Sequence, residues 1–178
     1  MSRAAHPATA FVGLGANLGE PRAALAAALA GMARRPRLRL RCVSSLYRTQ
    51  PIDAAGPDFL NAVAMIETQL APLELLADLH ALEQAAGRER PHRNAPRTLD
   101  LDLLLYEQLV LDTPRLTLPH PRAHQRLFVL APLVQIAPDV EIPGHGRAAV
   151  LAAALAGQAI ERIADGGWWG PAGFVAPA

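Results

Sequence analysis

From Arg37 to Cys42 the chain alternates strictly, with Leu38, Leu40 and Cys42 on one side and Arg37, Arg39 and Arg41 on the other. Successive side chains of a strand point to opposite faces, so this run is a half-buried strand, and its pattern can extend to Tyr47. Apolar strand-like and helical runs interleave around it. Residues 9–14 form a short strand stopped by glycine, Pro21 suits the first turn of a helix, and residues 23–33 are nearly all good helix formers. Phe59–Thr68 is a third strand. Pro72 opens a helix whose apolar face is Leu75, Leu76, Leu79, Leu82 and Ala86, with Gly87 just past its end.

A fourth strand is expected over residues 98–106, with 109–111 pairing to it around Glu107-Gln108. Leu127–Ile136 is helical in period, and the alanine-rich run 147–160 is expected to be one helix. Residues 52–58 and 88–96 are loops rich in proline and polar groups. No repeat is present. Short connections suit an α+β sandwich with a mostly antiparallel sheet better than a doubly wound one. One domain over residues 1–165 and a tail over 166–178 are expected.

Composition then removes whole chemistries. All 17 basic residues are arginine, which excludes a Schiff-base lysine and a Walker A loop. Cys42 is the single cysteine, so neither a disulfide scaffold nor a cysteine zinc site is available, and a reducing cytoplasm fits. The net charge of +1 argues against a general nucleic-acid coat. At 178 residues the chain can bury a full core without metal or disulfides. No targeting segment stands out, and the apolar run 148–156 is about half a membrane span. A soluble intracellular monomer acting on small molecules is expected, with no membrane or nucleic-acid partner.

Gly13-Leu14-Gly15 lies between a strand and a helix, where a dinucleotide fingerprint would sit. The third glycine of that fingerprint would fall at Leu18, and no acid occurs between Glu20 and Asp53 to hold a ribose. The run is therefore assigned to a tight strand-to-helix turn. Asp100-Leu101-Asp102 is sharper. Two carboxylates two apart on a strand share a face, about 7 Å apart at the backbone, while Leu99, Leu101 and Leu103 face the core. Such a pair makes sense around a hard cation, and Mg²⁺ takes one or two carboxylates plus substrate phosphates. Arg88, Arg90, Arg93 and Arg97 precede it, and Arg115, His120, Arg122, His124 and Arg126 follow. This is equipment for gripping a polyphosphate. A solvated arginine face, an RNA-binding module and a Mg-dependent nucleotidyltransferase are the alternatives.

The stretch from Arg97-Thr98-Leu99 through Asp102-Leu103-Leu104, after Ala95-Pro96, resembles the signature of the 6-hydroxymethyl-7,8-dihydropterin pyrophosphokinases of folate biosynthesis. Further similar stretches are Gly15-Ala16-Asn17-Leu18, Ser44-Ser45-Leu46-Tyr47-Arg48-Thr49, Phe59-Leu60-Asn61-Ala62, Gly87-Arg88-Glu89-Arg90, and Leu118-Pro119-His120 leading to Arg126-Leu127-Phe128. The resemblance implies a ferredoxin-like fold and pyrophosphoryl transfer from ATP to the dihydropterin, releasing AMP, with two Mg²⁺ ions. It implies Asp100 and Asp102 as metal ligands, with Arg88, Arg90 and Arg97 as catalytic groups. Glu83, Arg88, Arg90, Arg97, His120 and Arg126 would lie at ATP. Thr49, Gln50, Ile52, Phe59, Asn61 and Phe128 would hold the pterin. An amide at Asn61 suits the ring's donor–acceptor edge and aromatic groups suit its faces. Two departures are visible: no tryptophan precedes the Pro96-Arg97-Thr98 stretch, and Pro121 stands where a tyrosine often follows the histidine.

Overall fold

The computed structural model describes residues 6–51, 56–87 and 98–170. β1 (Ala8–Ala16) runs between β4 (Phe59–Thr68) and β5 (Asp100–Tyr106), antiparallel to both. α1 (Pro21–Ala33) starts at the expected proline and buries Leu25, Ala28, Leu29 and Met32 against the sheet. The alternating run forms β2 (Leu38–Val43), which stops at Ser44-Ser45 instead of continuing to Tyr47; β3 (Leu46–Thr49) is a separate strand. Both pair with β4.

Buried polar groups cause that break. Both serines are 0% exposed. Ser44 Oγ accepts the Val63 N–H at 3.0 Å and donates to the Ser45 carbonyl at 2.8 Å. Gln135 holds Ser45 from the other side, accepting its N–H at 2.9 Å and donating to its hydroxyl at 2.8 Å. These side-chain bonds satisfy the backbone where the ladder fails.

α2 (Pro72–Ala85) begins at the expected proline, and Gly87 follows its end at φ 78°, a left-handed position that suits glycine. Glu74 accepts the Ala71 N–H at 2.8 Å, half of a capping box, since Ala71 offers no side-chain acceptor in return. After β5 the chain departs from expectation. β6 (Leu111–Asp112) pairs with β7 (Thr117–Leu118), not with β5. Glu107 takes φ 48° and exchanges bonds with Thr9 of β1, and the Leu109 N–H turns back to the Tyr106 carbonyl at 3.0 Å. The chain therefore leaves the sheet before residues 109–111 can align with it.

A 3₁₀ turn (Ala123–Gln125) leads into α3 (Leu127–Ile136), which keeps its expected bounds. A small hairpin of β8 (Glu141–Ile142) and β9 (Gly146–Arg147) precedes α4 (Ala148–Ala154). The helix expected over 147–160 is thus about half as long. Gly157 is a poor helix former, and the Gln158 side chain is committed elsewhere, accepting the Leu127 N–H at 2.9 Å and donating to the Gln125 carbonyl at 3.0 Å. The residues beyond form β10 (Glu161–Ala164), an edge strand on β3.

The architecture is α+β with antiparallel pairings throughout the described strands. α1 and α2 cover one face of the sheet, packed on Val12, Leu14, Ala62, Ala64 and Leu101. α3 and α4 pack on the other, over Phe11, Val63, Leu104 and Leu105. Alternation along the strands places Gly15, Asn61 and Asp100 further along that second face. Trp168 and Trp169 pack against the first core, where the Trp168 indole N–H donates to the Ser44 carbonyl at 3.0 Å.

Candidate active site

Sheet register builds the floor. Asn61 of β4 lies opposite Gly15 of β1, and Gly15 lies opposite Asp100 of β5; the next row is Val63, Gly13 and Asp102. Strands are about 4.8 Å apart, so Asn61 and Asp100 stand about 10 Å apart across a glycine. Leu99, Leu101 and Leu103 are 1%, 2% and 3% exposed, which turns both carboxylates together onto the opposite face, as the alternation predicts. The two glycines are not in a turn. They belong to β1; the Leu104 side chain lies over Gly13, while Gly15 leaves bare backbone between Asn61 and Asp100. A ligand can approach the backbone closely there. Sequence reasoning missed this, although two glycines at strand spacing were the available signal.

His120 arrives from beyond β7. Its N–H bonds the Leu104 carbonyl at 2.9 Å, and its Nε2 lies 3.9 Å from Asp102 Oδ2. Nδ1 accepts the Arg122 N–H at 3.2 Å, which assigns the proton of the neutral ring to Nε2, facing Asp102. Burial pushes the His120 pKa down; Asp102 and Asp100 pull it up, while Arg126 and Arg122 push it down. A neutral Nε2–H donor thus faces the carboxylate pair. The Arg126 guanidinium stands 5.5 Å over the Phe128 ring at the start of α3, close enough for a cation–π contact.

At the other end of the floor, Asn61 donates to the Thr49 hydroxyl at 2.9 Å. Thr49 lies opposite Phe59, whose ring is half-buried, and Gln50 is exposed. Asn17 ties the segment after β1 to the Pro57 carbonyl at 3.1 Å. Glu83, by contrast, is 1% exposed and turned into the protein, where its carboxylate accepts the Leu101 N–H at 2.8 Å. Ile52, Arg88, Arg90 and Arg97 lie outside the described residues.

The donor set speaks to metal chemistry. Among the described residues no three or more His, Cys, Asp or Glu side chains gather into a metal cage. Two hard carboxylates on one open face fit a divalent cation that keeps coordination positions for water and substrate oxygens.

Residues 11–138 match the model of the 7,8-dihydro-6-hydroxymethylpterin-pyrophosphokinase family. The chain belongs to this family. It is 47% identical over 154 residues to a 2-amino-4-hydroxy-6-hydroxymethyldihydropteridine pyrophosphokinase of Pseudomonas aeruginosa, a match covering 86% of this chain and 95% of that one. The Haemophilus influenzae protein of the same name is 44% identical over 136 residues, covering 76% and 85%. The Bacillus subtilis one is 42% identical over 133 residues, covering 74% and 80%. Among solved structures, wild-type Plasmodium falciparum HPPK-DHPS with STZ-DHP superposes with a TM-score of 0.69 at 14% identity, over 88% of this chain. The chain spans 44% of that longer protein, and the likeness carries the fold alone. The pyrophosphokinase fold thus agrees with the α+β architecture described above. Among the described residues no helix is long and apolar enough to cross a membrane.

Proposed function

We propose that the glycine-lined floor is where this chain performs pyrophosphoryl transfer, with pterin at the Asn61 end and Mg–triphosphate at the Asp100–Asp102 end. The chain is an ATP-dependent pyrophosphokinase of folate biosynthesis. It moves the pyrophosphoryl group of ATP to 6-hydroxymethyl-7,8-dihydropterin, giving the dihydropterin diphosphate and AMP. The observation carrying the site assignment is the single row Asn61–Gly15–Asp100. An amide and a carboxylate stand on one face with only Gly15 between them, which supports a ring edge read at one end and a cation held at the other.

In this reading Asn61, oriented by Thr49, pairs with the amidine-like edge of the pterin, and Phe59 and Phe128 flank the ring, with Gln50 and Ile52 beside it. Asp100 and Asp102 hold the magnesium, two ions in all. Held by these two carboxylates, magnesium would supply neutralisation of phosphate charge and polarisation of the β-phosphoryl group. Arg126, together with Arg88, Arg90 and Arg97, neutralises the remaining charge of the triphosphate. The His120 Nε2–H donates to a phosphate oxygen, a role its neutral, half-buried ring supports. Glu83, implied at ATP by the resemblance, stands behind the carboxylate strand with its carboxylate on the Leu101 N–H and acts on that end of the site through the strand. The hydroxymethyl oxygen forms its bond to the β-phosphorus, its proton passing to solvent, as the bond from that phosphorus to the α–β bridging oxygen breaks, leaving AMP. The work of the protein is alignment and charge neutralisation. The reading also takes the chain as a cytoplasmic monomer that binds no nucleic acid; its lone cysteine, Cys42, supports a reducing compartment.

Incubation with ATP, Mg²⁺ and the hydroxymethyl dihydropterin, followed by nucleotide chromatography, tests the reaction. AMP is the expected product. Pyrophosphate would indicate nucleotidyl transfer, ADP a simple kinase, and no turnover with tight RNA binding a binding module.

A further inference from the structure

Among the described strands β5 is the last of its sheet, so one of its edges has no described strand beside it to satisfy the backbone. Among the described residues, two groups bond that backbone. The Leu104 carbonyl takes the His120 N–H at 2.9 Å, and the Leu101 N–H goes to the Glu83 carboxylate at 2.8 Å. The second bond is unusual in its choice of acceptor. Glu83 is 1% exposed, and a hydrogen bond to a buried carboxylate is a strong, charge-assisted one that fixes the peptide it holds. Its place on α2 adds to this: Leu75, Leu79 and Glu83 are the buried residues of that helix, so the acid occupies the third position of the core-facing stripe.

What Glu83 holds is the peptide unit between Asp100 and Asp102. The side chain of Leu101 is 2% exposed in the core, and its backbone lies opposite Leu14 of β1. With its N–H fixed by Glu83, Leu101 is held from three directions. The carboxylates on either side of it are then carried on a rigid segment at fixed separation and pitch.

We propose that Glu83 is a positioning residue for the carboxylate pair, acting through the Leu101 N–H to preset the geometry that receives the divalent cation. The proposal rests on reading Asp100 and Asp102 as the metal carboxylates. It assigns Glu83 an effect on metal affinity that a residue merely touching nucleotide would not have.

Manganese serves as the probe because its binding is read by electron paramagnetic resonance without turnover. Mn²⁺ affinity is measured with a non-hydrolysable ATP analogue for the parent and for Glu83→Ala, Glu83→Gln, Glu83→Asp and Asp102→Asn. Analogue affinity is measured again in EDTA, and each variant is checked by thermal melting. Glu83→Ala and Glu83→Asp, which remove or withdraw the acceptor, are expected to weaken Mn²⁺ by about tenfold or more, the usual effect of losing a ligand's supporting hydrogen bond. Glu83→Gln retains an acceptor oxygen at the same reach and is expected to stay close to the parent. Affinity for the analogue in EDTA is expected to be unchanged in all three. Parent-like Mn²⁺ binding in Glu83→Asp overturns the proposal, as does equal loss in Glu83→Gln and Glu83→Asp, or a matching loss of analogue binding in EDTA. If Glu83→Ala does not fold, the Gln and Asp pair decides alone. Asp102→Asn separates the two ideas: unchanged Mn²⁺ affinity there sinks the metal reading itself, whatever Glu83 does.

Discussion

In the proposed site Gly15 contributes by lacking a side chain. A methyl group there would meet Asn61 Oδ1 at 3.5 Å, an ordinary contact, and the backbone is not left-handed, so the fold has no objection to alanine. A ligand lying across the strand does. Gly15→Ala is expected to leave stability within about 0.5 kcal/mol, as for most substitutions that disturb no packing. It is expected to weaken dihydropterin binding by about 1–3 kcal/mol, the scale of overpacking by one methyl. Calorimetric titration checks this, and unchanged affinity would remove ligand from the glycine strip. The carboxylates make the complementary prediction. Asp100→Ala and Asp102→Ala are each expected to reduce kcat by about a hundredfold or more in folded protein, the scale of losing a major electrostatic stabiliser. Near-normal turnover in either variant would contradict the metal assignment. At this scale legibility followed periodicity. The aspartates were visible because strand alternation forces residues 100 and 102 to one face. The proposed role of Gly15 was hidden because a Gly-x-Gly within a strand looks the same as one in a turn. Glu83 left a fainter trace, sitting four residues beyond Leu79 and eight beyond Leu75 on an apolar stripe.

Elements were legible wherever one period ran uninterrupted between clear stops. Phe59–Thr68 and Leu127–Ile136 keep the bounds their patterns imply, and α2 ends where Gly87 predicts. The failures share a cause: a side chain made a long-range bond that local propensity cannot express. Ser44 and Ser45 interrupt an otherwise regular strand because Val63 and Gln135 meet them in the core. The alanine-rich run stops at Ala154 while Gln158 reaches back to cap α3. That cap has functional consequences, since the first turn of α3 presents Phe128 and follows Arg126. Gln158→Ala frees the Leu127 N–H and is expected to destabilise the fold by about 1 kcal/mol, the usual value of a helix N-cap. A proportionate weakening of pterin binding would accompany it if the cap orients Phe128. Denaturant unfolding with a parallel titration checks both, and a variant of unchanged stability would show the cap to be incidental.

On the scale of the whole molecule, the α+β sandwich was readable from short connections and interleaved periods, but the end of the folded unit was not. Residues 166–170 look like a tail in sequence: glycines, a Trp-Trp pair and no period. The structure packs both tryptophans against the core under α1 and α2. Trp168 also links three parts of the chain, its indole N–H on the Ser44 carbonyl at 3.0 Å and its own carbonyl receiving the Arg22 guanidinium at 3.3 Å. The segment therefore covers the break between β2 and β3, on the face opposite the candidate site. Truncation after Asp165 is expected to lower unfolding free energy by about 2 kcal/mol or more, a fraction of the loss seen on deleting a fully buried tryptophan. Because the glycine floor lies across the sheet, kcat is expected to stay near the parent value at temperatures where the truncated chain remains folded. Denaturant midpoints and low-temperature turnover measured side by side separate these effects. Equal midpoints for the two chains would place the boundary of the folded unit at residue 165. Lost turnover in stably folded truncated protein would mean that the tryptophans shape the active face through the Ser44–Ser45 break, whose neighbour across the ladder, Val63, sits two residues from Asn61.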